Sequence, residues 1–191
     1  SARLEGLSLV WQDVNRCASA ALTIQMSYWI DERLEYRDTI SFLNPYNDDM
    51  SVRLDEMVAY AETFGLRGIE RAGGTIDLLR TLVANGFPVL VENAYYDGGN
   101  VMLDWMSHNR VIMGYDDNLR EFYAFDSLLG AGENNQGRPF NYDDLDDRWR
   151  TLNRYYMVLY WPEDEARLQT IMGDMWDPVQ AAEWNLEQAR A

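Results

Sequence analysis

The sequence predicts an α+β fold in which N-terminal helices pack on an antiparallel sheet. Three observations carry this. Three helical patterns lie within residues 16–85. After Pro88 the hydrophobic period changes, and short β-prone runs bounded by turn residues follow. Two of those runs are joined at Asp116, Asp117 and Asn118, a turn too short for a crossover helix, so they are antiparallel neighbours. A βαβ alternation is not present, which excludes the parallel α/β classes.

The elements follow in order. Residues 16 to 30 read as a helix that opens at Cys17. Apolar residues occur on most of its sides, so it is central rather than surface-laid. Asn15 is placed to cap it with its side-chain oxygen. A polar stretch follows and ends in a turn cluster at Asn44 to Asp49. Ser51 is placed to cap a second helix running to about Phe64, closed by Gly65. Gly68 to Gly74 is a short extended piece and turn. Thr75 caps a third helix over 76–85, whose Leu78, Leu79, Leu82 and Val83 form one apolar stripe. Gly86 is its left-handed stop, and Pro88 prevents continuation. Four strands are expected around 89–91, 109–115, 121–125 and 155–160. A short helix from Asn141 to about Trp149 has an acidic first turn that suits its dipole. Two helices close the chain, over 163–172 and 178–189, the second capped by Asp177 with Pro178 at its first position. The expected organisation is one domain over residues 1–162 and a helical C-terminal extension over 163–191.

Composition narrows the function. The chain has 191 residues, 47% of them hydrophobic, with seven Trp and twelve Tyr, enough to bury a core. Its net charge is −16, and all 16 basic residues are Arg. So acidic a chain repels phosphate backbones and anionic membrane surfaces, which argues against nucleic-acid partners. No run approaches the roughly 20 apolar residues of a membrane span, so no membrane insertion is expected. The lack of Lys excludes Schiff-base and P-loop lysine chemistry. One Cys and one His exclude cysteine–histidine zinc clusters. The acidic runs at 47–49 and 143–147 lack the spacing of an EF-hand loop and read as solvated turns. No metal and no cofactor is expected.

The single Cys and single His each stand where a thiol–imidazole enzyme needs them. Cys17 follows a loop and opens a helix, whose N-terminus lowers a thiol pKa and favours the thiolate nucleophile. His108 begins a strand. With a three-residue loop at 116–118, Tyr115 pairs with Leu119 and His108 falls opposite Asp126, with Cβ atoms about 4.5–5.5 Å apart. A two-residue turn at Asp117 and Asn118 instead puts Ser127 opposite and sends Asp126 to the other face. A carboxylate beside the imidazole fixes its tautomer and presents the other nitrogen outward. Gln12, five residues before Cys17, can offer an amide N–H that joins the Cys17 backbone N–H in holding an oxyanion. The roles are then Cys17 nucleophile, His108 base and acid, Asp126 orienting group and Gln12 oxyanion donor. The bland alternatives are a packed small side chain at Cys17, a satisfied strand-start His, a turn-forming Asp and a loop amide. Trp105, three residues before His108 on a Gly-rich loop, suits core packing and site lining equally.

These residues carry a resemblance. The order Gln12-loop-Cys17-helix, Gly86-Phe87-Pro88-Val89-Leu90-Val91, His108 to Asp116 and Phe122-Tyr123-Ala124-Phe125-Asp126 resembles the papain-like cysteine peptidases. It is most similar to the branch that processes bacteriocin leaders at double-glycine sites, over residues 8 to about 162. The resemblance implies a papain-like fold and catalytic Cys, His and Asp with Gln at the oxyanion hole. It also implies a peptide or protein substrate, no cofactor, and relatives that are often bacterial, exported or surface-associated. Some are joined to tetratricopeptide repeats, which the helices from Pro178 could begin as a protein-partner arm. The sequence departs from the family at Ala18 and Ser19, where the family has Gly-Pro beside the thiol. Both are expected to line the substrate surface and to narrow it. Three functions follow from the residues: a cysteine peptidase, a non-catalytic peptide-binding or scaffold module of the same fold, and an acyltransferase using the same thiol.

Overall fold

The computed structural model describes residues 1–31, 34–46, 48, 51–95 and 106–190. Trp105, the loop from Asp97 to Asn100, and Asn47 and Asp49 lie outside the described residues. Among the described residues the chain runs β1 (Ala2–Arg3), α1 (Cys17–Met26), α2 (Tyr36–Leu43), α3 (Leu54–Glu62), β2 (Arg67–Arg71), α4 (Ile76–Ala84), β3 (Val89–Tyr95), β4 (Met106–Asp116), β5 (Glu121–Asp126), β6 (Arg138–Asn141), α5 (Tyr142–Trp149), β7 (Tyr156–Tyr160), α6 (Glu165–Met172) and α7 (Pro178–Arg190). The seven strands make one antiparallel sheet in the order β2-β7-β3-β4-β5-β6, with β1 paired to the far end of β4. The predicted α+β class is the observed one.

Alternation along the strands divides the core in two. Val89, Val91, Ile112, Phe122, Ala124 and Val158 face the stripe of α4, together with Leu145 and Trp149 of α5 and Leu168 and Met172 of α6. Leu90, Val111, Met113, Phe125, Met157 and Leu159 face α1 and the helices beside it. Residues 18 to 26 of α1 are all buried, as a central helix requires. Gln25, at its inner end, donates Nε2 to the carbonyls of Pro88 and Met157, pinning the helix to β3 and β7.

Several boundaries differ from expectation. Arg16, not Asn15, is the residue before α1; Asn15 takes a left-handed φ of 58°, and among the described residues no side chain caps the helix. The N–H groups of its first turn therefore remain available to the site. The helix ends at Met26 rather than 30, where turns of i−3 type close on Gln25 and Met26. Ser51 does not cap α3; Arg53 precedes it, and Glu56 Oε2 accepts the Arg53 N–H at 2.8 Å. α2 lies in the stretch read as polar. It buries only Thr39 and Leu43, too thin a stripe for a periodic signal. β1 and β6, of two and four residues, were also unforeseen. By contrast, Thr75 Oγ1 accepts the Leu78 N–H at 2.9 Å, Gly86 sits at φ 89°, and Asp177 Oδ1 accepts the Val179 N–H, each as the sequence indicates.

The β4–β5 register corrects both turn readings. Asp116 pairs with Glu121, so the connection is residues 117–120, with Asp116 Oδ1 accepting the N–H groups of Asn118 and Leu119. A bulge between Ile112 and Gly114 then inserts Met113 and shifts the pairing by one residue. Asp126 therefore stands opposite Arg110, and His108 is its diagonal neighbour two residues along the same face. Without the bulge Asp126 would pair with Val111 and point to the other face, because a one-residue slip exchanges the faces of a strand.

Candidate active site

Cys17 occupies the first position of α1, partly buried, at the mouth of a cleft of about 810 Å³. Gln12, Ala18, His108 and Asn109 line the same cleft. His108, 4% exposed, hydrogen-bonds Asp126 Oδ1 through Nε2 at 2.9 Å, and it also interacts with the Cys17 thiol. The ring thus links carboxylate and sulfur. Asp126 is fully buried and four groups hold it: His108, the Arg110 Nε–H at 2.7 Å, and the N–H groups of Leu128 and Leu129 at 2.9 Å each. Arg110 is itself buried, and its guanidinium lies 4.4 Å over the Phe140 ring.

The electrostatics follow from these contacts. Burial pushes the Cys17 thiol up, but the hydrogen bond and charge of His108, then the backbone and side-chain N–H groups of Asn109, reverse this and leave it below its ordinary value. Burial pushes His108 down, yet its bonds to Asp126 and Cys17 and the Asp126 charge raise it above the usual imidazole range, against the opposing charge of Arg110. Burial would raise Asp126; His108 and Arg110 hold it far below the usual carboxylate range. The two shifts run in opposite directions, the sulfur toward thiolate and the ring toward imidazolium.

Gln12 is anchored at both ends of its residue. Its backbone N–H donates to the Ser127 carbonyl at 3.1 Å, and its Oε1 accepts the Ser127 hydroxyl at 2.8 Å. With the oxygen occupied, the amide N–H end is the part left for the cleft. The Cys17 backbone N–H lies at the first position of α1, beside the same cleft.

The structure thus brings Cys17, His108 and Asp126 into one hydrogen-bonded chain and sets Gln12 in the same cleft. Ala18 lines the cleft, but Ser19 does not. Ser19 is fully buried and donates its hydroxyl to Asn44 Oδ1 at 2.7 Å, so its polarity serves packing between α1 and the end of α2. Three contributors escaped the sequence reading. Asn109 donates Nδ2 to the Cys17 sulfur at 3.7 Å. Its signal was alternation, which turns the residue after His108 toward α1. The signal for Arg110 was a cation inside an apolar strand, though its partner lies on another segment. Ser127 entered only as an alternative partner of His108 and instead positions Gln12.

Solved structures of low identity share this fold. A C39-like peptidase from Bacillus anthracis superposes with a TM-score of 0.63 at 14% identity, covering 83% of this chain and 96% of that one. The peptidase domain of Streptococcus ComA, a bifunctional ABC transporter involved in a quorum-sensing pathway, gives 0.61 at 12%, covering 82% and 99%. A double-glycine motif protease from an AMS/PCAT transporter, solved with its leader peptide, gives 0.57 at 12%, covering 83% and 93%. Among curated protein sequences none matches. The family model of the peptidase C39-like family matches residues 6–157, and with that span and this architecture the chain belongs to the peptidase C39-like family.

Proposed function

We propose that this chain hydrolyses peptide bonds as a cysteine peptidase, with Cys17 as nucleophile, His108 as general base and acid, Asp126 as orienting group and Gln12 in the oxyanion hole. The observation that carries the reading is the hydrogen-bonded chain from sulfur through imidazole to a buried carboxylate at the mouth of a cleft. The thiolate attacks the carbonyl carbon, and the carbonyl electron pair moves to oxygen. The Gln12 amide and the Cys17 N–H hold that oxyanion. His108 gives its proton to the departing amine as the C–N bond breaks, leaving a thioester on Cys17. Neutral His108 then takes a proton from water, which attacks the thioester and releases acid and thiolate. Asp126 keeps the ring aligned through both transfers.

A peptide is the matching substrate, since a double-glycine protease of similar fold is known with its leader peptide. In the same reading residues 1–162 form the peptidase domain and the helices from residue 163 onward an extension that meets a protein partner. The test is incubation with a diverse peptide library followed by mass spectrometry. Wild-type protein is expected to produce defined cleavages and a thioester adduct on Cys17, and Cys17→Ala neither. Binding of the same peptides without turnover by either protein supports the non-catalytic module instead. Transfer to added amines in place of water identifies an acyltransferase.

A further inference from the structure

The floor of the cleft is the sheet face that meets the start of α1. Strand alternation and pairing put Glu70 of β2, Tyr155 just before β7, Glu92 of β3 and Asn109 of β4 on that floor, and all four line the cleft. Glu92 is the direct cross-strand partner of Asn109, the residue whose amide touches the Cys17 sulfur. Cross-strand partners have Cβ atoms about 5 Å apart, so the Glu92 carboxylate sits about one side chain from the nucleophile.

The other charges of the cleft are paired. Arg53 grips Asp55 with two bonds of 2.8 and 2.7 Å. Cys17 and His108 balance each other, as do Asp126 and Arg110. Glu70 and Glu92 are both part-buried, and among the described residues neither side chain has a hydrogen-bond or ion-pair partner. Part-buried carboxylates without a hydrogen-bonded or ion-paired partner are costly unless a ligand supplies one. Burial already pushes the Glu70 carboxyl above its usual value, against Arg71 and with Asp55. Asn109 gives a second, independent sign: the residue is 4% exposed, and among the described residues its Oδ1 has no hydrogen-bond partner. An unpaired acceptor beside an unpaired carboxylate suits a group that carries several N–H donors and a positive charge.

We propose that the cleft selects peptides with a Lys or Arg side chain within about two residues of the scissile bond, bound by Glu92 and Asn109 and drawn in by Glu70. This selectivity rests on the peptidase reading, but it is measurable without turnover. The experiment uses the full chain as Cys17→Ala and N-acetylated hexapeptide pools in which each position in turn holds Arg or its neutral isostere citrulline. Binding is read by fluorescence anisotropy at about 20 mM and about 300 mM salt.

At one position Arg is expected to bind about tenfold tighter than citrulline at low salt, with the advantage shrinking at high salt and falling to about twofold in Cys17→Ala/Glu92→Gln. Glu70→Gln is expected to reduce it less. Equal binding of Arg and citrulline at every position overturns the proposal, as does an advantage undiminished by both glutamine substitutions. Should Glu92→Gln fail to fold, judged by its melting curve, the citrulline comparison and the salt series on Cys17→Ala still decide. Failure of the peptidase reading looks different: no cleavage by wild-type protein while the Arg preference persists.

Discussion

Replacing Asp126 by Asn probes the buried network most severely. The carboxylate accepts four donors at 2.7–2.9 Å and is itself fully buried. An amide has one acceptor atom. If its oxygen takes the place of Oδ1, its NH₂ confronts the Arg110 Nε–H; if it takes the place of Oδ2, its NH₂ confronts His108 and the Leu128 and Leu129 N–H groups. Either way a buried guanidinium loses its counter-charge. Breaking one partner out of a buried ion pair costs about 3–5 kcal/mol. At about 2–4 °C per kcal/mol for a chain of this size, the melting midpoint falls by about 6–20 °C. Arg110→Met is milder, because Asp126 keeps three of its four donors. The double variant is expected to cost less than the sum of the singles by about 1–3 kcal/mol, since it leaves no bare guanidinium. Thermal melts at pH 7 give the stabilities, and the rate of Cys17 alkylation gives the function. Thiol activation is lost in Asp126→Asn and is not restored in the double variant, which separates holding the fold from aligning His108. A single variant melting within about 2 °C of wild type, or strictly additive costs, refutes the reasoning.

Three further outcomes follow. Gln12→Ala is expected to lower kcat on a cleaved peptide by about 10²–10³-fold while leaving the alkylation rate of Cys17 unchanged, because the amide acts on the oxyanion and not on the sulfur. Equal losses in both measurements would contradict that role. Asp126 has its pKa depressed in the folded state, so its contribution to stability is complete above the unfolded value of about 4 and is lost as pH falls through the folded value. The stability gap between wild type and Asp126→Asn therefore narrows as pH falls below about 4 in urea titrations. Gly74→Ala drives a methyl group into the Trp149 ring and to 2.9 Å from Tyr156, and should cost about 1–3 kcal/mol without changing thiol reactivity.

Much of the site was legible because its residue types are unique in the chain. With one Cys and one His there was a single pair to consider; Cys17 does open a helix, while His108 is the third residue of β4 rather than its first. The helix α4 was legible for a different reason: its cap, its apolar stripe and its glycine stop agree, and local signals of that kind survive into the fold. What could not be read was register. The turn from 117 to 120 and the Met113 bulge each displace the pairing, and only together do they return Asp126 to the face of His108. The one local cue was Gly114, where an added Cβ would sit 3.1 Å from the Ala2 carbonyl as β1 passes over it. Glycine inside a strand marks such an approach or a bulge, and here both occur together. α2 was missed because two buried residues in eight give no periodic stripe. Arg110 and Asn109 were missed because their partners are set by the pairing itself, which no single segment encodes.

Catalysis at this site requires a Cys17 thiolate held by His108, and the pH dependence of Cys17 alkylation by neutral iodoacetamide tests this most directly. Wild-type protein is predicted to keep a fast, nearly flat rate well below the ordinary thiol pKa of about 8.5, and His108→Gln to lose it, reacting only as pH approaches that value. A wild-type rate that rises with pH like that of free cysteine, and is unmoved by His108→Gln, would contradict it.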